Sequence, residues 1–426
     1  MLVARLVTLA FAFALALAVG APAHAAAPPP VLRPTTGGTY AYTSPEAAPY
    51  AGVRTVVHYV TSGPDAPPLS DADASGVPDY VEQTALAADT ALLYYERHGF
   101  NHALPDTAGP DTKPDIYIHG LPKGVFGITF TQKYAEGGTF VVLSPQLDLD
   151  HVAALGTLRV TVAHELFHVI QFSYVVGAKI PVWAAEGSAT AMSMLVFPDV
   201  KDLALTQYLD EWLRRPWLPL YDERSGCARC YGGAWWWLYL ARLNRGVLPA
   251  YFERLQADER RGKPTRVGVS QLDLALRARH VGSLYTVFSK FSLNLYRRGL
   301  PVGNPYSLKP STAPRATRIR SVFGLSSHYV PVQVPRDARG VVISVPYAGG
   351  PKPEVTLVVG GPKGRRVVGK RFRPGRGMIL STLFRNARER RRIVLIVTSG
   401  RLDGVKYQVG YAAVGPRGRL PGWIAF

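Results

Sequence analysis

Two histidines four residues apart flank a glutamate in Val160-Thr-Val-Ala-His164-Glu165-Leu166-Phe167-His168-Val-Ile-Gln171. On an α-helix that spacing is about 400° of rotation, roughly 40° from eclipsed, so both imidazoles leave one face and can share a metal ion. Glu165 stands about 100° around the helix from His164. There it is badly placed as a ligand and well placed to take a proton from a water at the metal, the work of a general base.

Such a site needs a third protein ligand that leaves the fourth position open. Val182-Trp183-Ala184-Ala185-Glu186-Gly187-Ser188-Ala189 offers Glu186. Pro181 and Trp183 anchor the start of a second helix, and Gly187 allows close approach of two helix backbones. The first helix is apolar nearly all round, with Val160, Val162, Ala163, Leu166, Phe167, Val169 and Ile170. That pattern predicts a buried helix, on which two histidines and a glutamate require partners.

H-E-x-x-H followed by W-x-x-E-G-x-A resembles the gluzincin metallopeptidases. The likeness is nearest to secreted bacterial metalloproteases that open with an Asp-rich Pro-Asp-Tyr-Val-Glu segment and end in a β-domain. It covers roughly residues 50–300. It implies a zincin-like catalytic domain with zinc on His164, His168 and Glu186, Glu165 as catalytic acid and base, and peptide or protein as substrate. It also implies that the last strand before the active-site helix, Phe140–Leu143, edges the substrate cleft and pairs with extended peptide. The chain departs from the thermolysin pattern at Thr190, where those relatives carry an aspartate that orients a zinc-bound imidazole; a hydroxyl accepts more weakly. Tyr231, with Tyr174 and His280 behind it, is a candidate to steady the oxyanion.

A second cluster of oxygen ligands lies upstream in Asp71-Ala-Asp73-Ala-Ser75-Gly76-Val77-Pro78-Asp79-Tyr-Val-Glu82. Side chains at 71, 73, 75, 79 and 82, the carbonyl of Val77 and a glycine at the sixth position reproduce the spacing of a calcium loop. Pro78 breaks the helix-loop-helix pattern and no helix precedes Asp71. The segment therefore reads as an isolated calcium loop opening a Pro78–His98 helix, or as a capping turn without metal. Cys227 and Cys230 form a C-x-x-C, which can be a redox dithiol, half a metal knuckle or a small disulfide. Two cysteines cannot complete a four-thiolate zinc site, and no thioredoxin-like context surrounds them; export favours the disulfide.

The elements that must position these groups are an α+β array. Residues 1–25 have Arg5, an apolar run from Leu6 to Val19 and Ala23-His24-Ala25, the plan of a secretory signal peptide, so the mature protein is expected outside the cell. Residues 26–50 read as an Ala/Pro-rich leader or linker, flexible from Ala26 to Gly38. Residues 51–320 read as the catalytic domain, with strands at 53–60, 115–119, 125–131 and 139–144, and the active-site helix capped by Asp148 or Asp150. Helices at 200–212, 231–244, 248–255 and 282–298 resemble a gluzincin helical subdomain, with Trp235-Trp236-Trp237 in its core. Residues 321–426 carry short β-branched runs at 341–345, 355–359, 393–397 and 407–412, expected as an antiparallel sandwich.

With 49 Lys and Arg against 30 Asp and Glu, the formal charge is +19, concentrated in the last third in runs 363–376 and 385–392. Such runs are either a solvated basic face or a dock for an anionic cell-surface polymer. No nucleic-acid fold signature accompanies them, so no nucleic acid is expected as partner. No later stretch approaches the roughly 20 apolar residues of a membrane span. The competing functional reading is a secreted binding protein that keeps a metallopeptidase scaffold and works through its β-domain and basic surface, although such a descendant has no need of Glu165.

Overall fold

In the computed structural model the described residues are 32–107, 110–131, 138–145, 147, 152–175, 180–200, 203–222, 228–263, 267–346, 352–361, 366–368, 370–373, 377–399 and 401–416. The proposed signal peptide and the candidate caps Asp148 and Asp150 lie outside them. The chain is mixed α+β and divides into two compact units, one drawn from Met1–Leu209 with Glu223–Arg279, the other from Asp210–Asp222 with His280–Phe426.

The first unit contains β1 (Tyr50–Ala51), β2 (Val56–His58), α1 (Asp79–Arg97), β3 (Asp115–Ile118), β4 (Gly127–Thr131) and β5 (Thr139–Leu143). The strands form one sheet in the order β1-β2-β3-β5-β4. β2, β3 and β5 are parallel, and α1 supplies the crossover that a parallel β2–β3 pair requires. β4 returns antiparallel to β5 at the sheet's edge. The edge position expected for Phe140–Leu143 therefore belongs to β4. β5 is hydrogen-bonded on both sides, so its backbone groups are already used, whereas among the described residues β4 pairs with β5 alone.

Alternation along the strands separates two faces. Tyr117, Ile128, Phe130, Phe140 and Val142 cluster on one face beneath Tyr40 and Tyr42. The residues between them face α2 (Val152–Tyr174), which packs on β4 and β5. Residues 160–172 of α2 are buried on every side, as the apolar pattern predicts. Tyr95 of α1 donates to the Ala163 carbonyl at 2.6 Å, fixing α1 to α2 one residue before His164.

The leader is not free where it is described. Arg33 is buried and donates bidentately to Asp106 at 2.7 and 2.8 Å and also to Asp115. Asp115 continues the network to His58, whose other ring nitrogen meets Glu46. A buried guanidinium needs such carboxylates, and they bind the N-terminal segment to the sheet.

Helices α3 (Val182–Val196), α4 (Leu203–Arg214), α5 (Ala228–Gly232), α6 (Ala234–Leu243), α7 (Val247–Arg260) and α8 (Val269–Ala278) follow. Trp236 and Trp237 are fully buried and Trp235 is half-buried, so the tryptophan run serves mainly as core. Trp237 stacks on Trp183 of α3 at 5.4 Å. A Cβ at Gly187 would come within 2.9 Å of Trp237 Nε1 and 3.1 Å of the Cys230 carbonyl, the close approach for which a glycine is needed.

In the second unit α9 (Leu284–Arg297) precedes β6 (Arg315–Ala316), β7 (Arg320–Val322), β8 (Ser327–Pro331), β9 (Gly340–Val345), β10 (Pro353–Val359), β11 (Arg366–Val368), β12 (Lys370–Arg373), β13 (Gly377–Leu383), α10 (Ala387–Arg391), β14 (Ile393–Ser399), β15 (Val405–Tyr407) and β16 (Gly410–Val414). Antiparallel sheets β11-β10-β14-β8 and β12-β13-β9-β16-β6 share one core, including Val330, Leu357 and Leu395 from the first and Ile343 and Leu380 from the second. On the outer face of the first sheet, Tyr329, Val358 and Ile396 pack against Tyr296 and Leu293 of α9. The second unit thus takes in residues 210–222 and resumes at His280, ahead of residue 321. The run expected as one strand at 407–412 is two: β15 pairs with β7 and β16 with β9, because the chain changes sheets around Gln408 and Val409.

Candidate metal centre

α2 presents His164, Glu165 and His168, and α3 crosses it to present Glu186. His164 Nε2 lies 3.1 Å from His168 Nε2 and 3.2 Å from Glu186 Oε2, and His168 Nε2 lies 3.6 Å from the same oxygen. Three tetrahedral ligand atoms about 2.0–2.1 Å from one zinc ion are separated by about 3.3 Å. The triangle therefore has the size of one face of a zinc coordination tetrahedron, and its donor set of two imidazoles and a carboxylate suits that ion. All four side chains, Glu165 included, retain at most 2% exposure, so their charges depend on one another or on a cation.

The support of each imidazole can be traced. His168 Nδ1 lies 2.8 Å from Gln171 Oε1. Gln171 spends its amide hydrogens on the Ala185 carbonyl at 2.9 Å and Ser188 Oγ at 3.0 Å, which turns its oxygen toward the histidine. An acceptor there puts the proton on Nδ1 and leaves the Nε2 lone pair facing the metal position. His164 Nδ1 has Thr190 Oγ1 at 3.5 Å, so the residue singled out as the departure from the thermolysin pattern sits at the ring it would orient, at a long distance.

Glu165 is held from the sheet. Thr129 Oγ1 is 2.7 Å from Glu165 Oε2 and 3.0 Å from its carbonyl oxygen. Gly127 leaves the space the side chain fills: a Cβ there would lie 2.6 Å from Glu165 Cγ. Burial raises the Glu165 pKa, with Glu186 adding to the rise while the two histidines and Thr129 oppose it. Glu186 is itself buried, which would raise its pKa, but His168 and His164 outweigh burial and hold it below the ordinary carboxylate range. For His168, burial works downward and the two glutamates outweigh it, so its pKa is raised.

Gln171, Ser188, Thr129 and Gly127 join the site without belonging to any motif that marks a metal centre. Gln171 had a signal, since it follows His168 by three positions on a helix and shares its face. The others reach the site only through tertiary contacts.

Tyr231 lies beside the cluster, its ring 5.9 Å from that of His164. Tyr174 is engaged elsewhere, accepting the Asn101 amide at 2.8 Å. His280 belongs to the second unit. Cys230 is buried, and Cys227 lies outside the described residues.

In the Asp-rich loop, carboxylate oxygens of Asp71, Asp73 and Asp79 converge within 4.8 Å of one another; Glu82, in the first turn of α1, is not part of that group. Asp71 accepts the Gly76 and Ser75 amides at 2.8 and 3.0 Å, and Ser75 Oγ reaches the Val77 carbonyl at 3.3 Å. Those amide bonds, the Gly76 one foremost, lower the Asp71 pKa. Gly76 adopts φ 85°, the sharp turn for which a glycine was expected. Pro78 is the N-cap of α1 rather than its first helical residue.

No protein-family model matches the chain, and no curated protein matches it.

Proposed function

We propose that this protein is a secreted zinc-dependent peptidase of the gluzincin kind, with a zincin-like catalytic domain and His164, His168 and Glu186 as ligands. The convergence of three ligand atoms at 3.1–3.6 Å, with a separately supported glutamate beside them, carries the reading. Zinc held there would supply Lewis acidity, polarising a carbonyl and bringing the pKa of a water down to about 7. Glu165 accepts the proton of the water as its oxygen adds to the carbonyl carbon, then passes that proton to the amine nitrogen, and the C–N bond breaks. Thr129 holds the carboxylate in reach. β4, which carries Thr129 and ends the sheet among the described residues, suits an extended peptide backbone, since strand addition binds main chain with little regard for sequence.

The test compares wild type with Glu165→Ala on a mixed fluorogenic peptide library, with zinc content measured for both. Equal zinc and a loss of turnover of about 10²–10⁴-fold in the variant are expected. Hydrolysis at the wild-type rate by Glu165→Ala would refute the mechanism. Zinc binding without peptide hydrolysis by wild type would favour the non-catalytic alternative.

A further inference from the structure

Arg336, Arg390, Arg391 and Arg392 line one cleft of about 910 Å³ on the second unit. The volume lies within the range of small-ligand sites, roughly 300–1,000 Å³. The arginines form its rim: Arg336, Arg391 and Arg392 are exposed and Arg390 is half-buried. Two walls contribute, the Val332–Arg336 stretch after β8 and the end of α10 running into β14. Arg390 bridges them by donating to the Arg336 carbonyl, which fixes the separation of the charges.

No carboxylate lines the cleft. Two acids adjoin the rim in sequence: exposed Asp337, which does not line the cleft, and buried Glu389, which accepts Arg366 at 2.8 and 3.1 Å and the Arg385 amide at 2.8 Å. Among the described residues none of the four rim guanidiniums is paired with a carboxylate. Four like charges around a concavity repel one another, and an anion in the cleft relieves that repulsion while gaining forked hydrogen bonds.

The floor narrows the chemistry. Half-buried Pro331, Val334 and Val394 give it accessible apolar surface, so the ligand needs an apolar surface as well as negative charge. Polyphosphate has no apolar face. Single-stranded nucleic acid requires exposed aromatic platforms, and the cleft's single aromatic residue, Tyr296, is 9% exposed. A lipid surface is met by protruding apolar side chains, whereas these are recessed. Sugar rings carry a C–H face suited to such a floor and, when acidic, carboxylate or sulfate groups suited to the rim. We propose that this cleft binds a segment of an acidic polysaccharide. The site is independent of the metal centre, so it stands whether or not the protein is a peptidase.

The experiment titrates the full mature protein with a heparin hexasaccharide and, in parallel, with a neutral dextran oligosaccharide, polyphosphate, oligo-dT and phosphatidylglycerol vesicles. Heparin binding that weakens with added salt, with no dextran binding, is expected. Arg391→Glu/Arg392→Glu, and separately Arg336→Glu on the opposite wall, should each weaken heparin binding roughly tenfold or more with an unchanged melting temperature. Arg260→Glu/Arg261→Glu, exposed on the first unit and equal to the double variant in charge change, should leave binding within about twofold. Equal loss in that control would reduce the effect to net charge and overturn the site. Wild-type affinity in both cleft variants would overturn it too, as would tighter, arginine-dependent binding of polyphosphate, oligonucleotide or vesicles.

Discussion

At the scale of single residues, the candidate metal centre depends on side chains that never touch the metal position. Gln171 sets the tautomer of His168 through a 2.8 Å contact, with its own orientation locked by Ala185 and Ser188. Supporting groups of this kind are worth about 10–100-fold in metal affinity. Gln171→Leu should therefore weaken zinc binding by that factor in a competitive chelator titration, and Gln171→Glu, which keeps an acceptor at Nδ1, should recover most of it. Gly127→Ala tests the other side of the site. Its methyl would overlap Glu165 Cγ, so peptide turnover should fall by tenfold or more while zinc content stays at the wild-type level. Unchanged turnover would mean that Glu165 can move aside without cost.

At the scale of elements, two polar clusters tie short segments to the sheet and to α1. In the first, burial lowers the His58 pKa, but the neighbouring carboxylates of Asp115 and Glu46 outweigh it and raise the value from 6.5 to about 9. A raised histidine stabilises the fold fully below its unfolded pKa of 6.5, and the contribution disappears as pH climbs through about 9. It amounts to about 3 kcal/mol. The melting temperature should fall between pH 6.5 and 9, and the fall should be markedly smaller in His58→Gln. The second cluster is the Asp71, Asp73 and Asp79 loop ahead of α1. Three converging carboxylates repel unless a cation joins them, and a calcium ion at tenfold its Kd would add about 1.4 kcal/mol. Millimolar calcium should raise the melting temperature of wild type and not of Asp73→Ala. Identical melting in calcium and in a calcium-selective chelator would leave the loop as a capping turn.

At the scale of the whole molecule, the two compact units are interleaved in the chain, since residues 210–222 of the second lie between parts of the first. That stretch is woven into its own unit: Trp212 packs on Phe291 at 5.7 Å, the Ser327 amide donates to the Pro216 carbonyl at 2.7 Å, and Tyr221 donates to the Leu402 carbonyl at 2.9 Å. A fragment of residues 321–426 would lose these bonds and also α9, exposing Tyr329, Val358 and Ile396. It should be poorly soluble and lack a cooperative thermal transition by circular dichroism. A soluble, cooperatively folding fragment would show that the strands suffice by themselves.

Local rules made part of the protein legible from its residues alone. The His164–His168 pairing follows from helical spacing, the buried character of α2 from its unbroken apolar run, and the turn at Gly76 from the conformational freedom of glycine. The strands at 115–118, 127–131, 139–143, 340–345, 353–359 and 393–399 follow from short β-branched runs between turns. What local patterns cannot carry is which distant surfaces meet. The swap of edge strand from β5 to β4 depends on pairing order, and a hydrophobic strand reads the same at an edge or in the middle of a sheet. The same holds for Thr129 and Gly127 at Glu165, for Arg33 in the sheet network, and for α9 and residues 210–222 in the second unit. Each is fixed by contacts between segments tens to hundreds of residues apart, whose energies arise only when the core has formed. The sequence alone determined the chemistry available at the candidate centre; the tertiary structure decided which groups hold it in place.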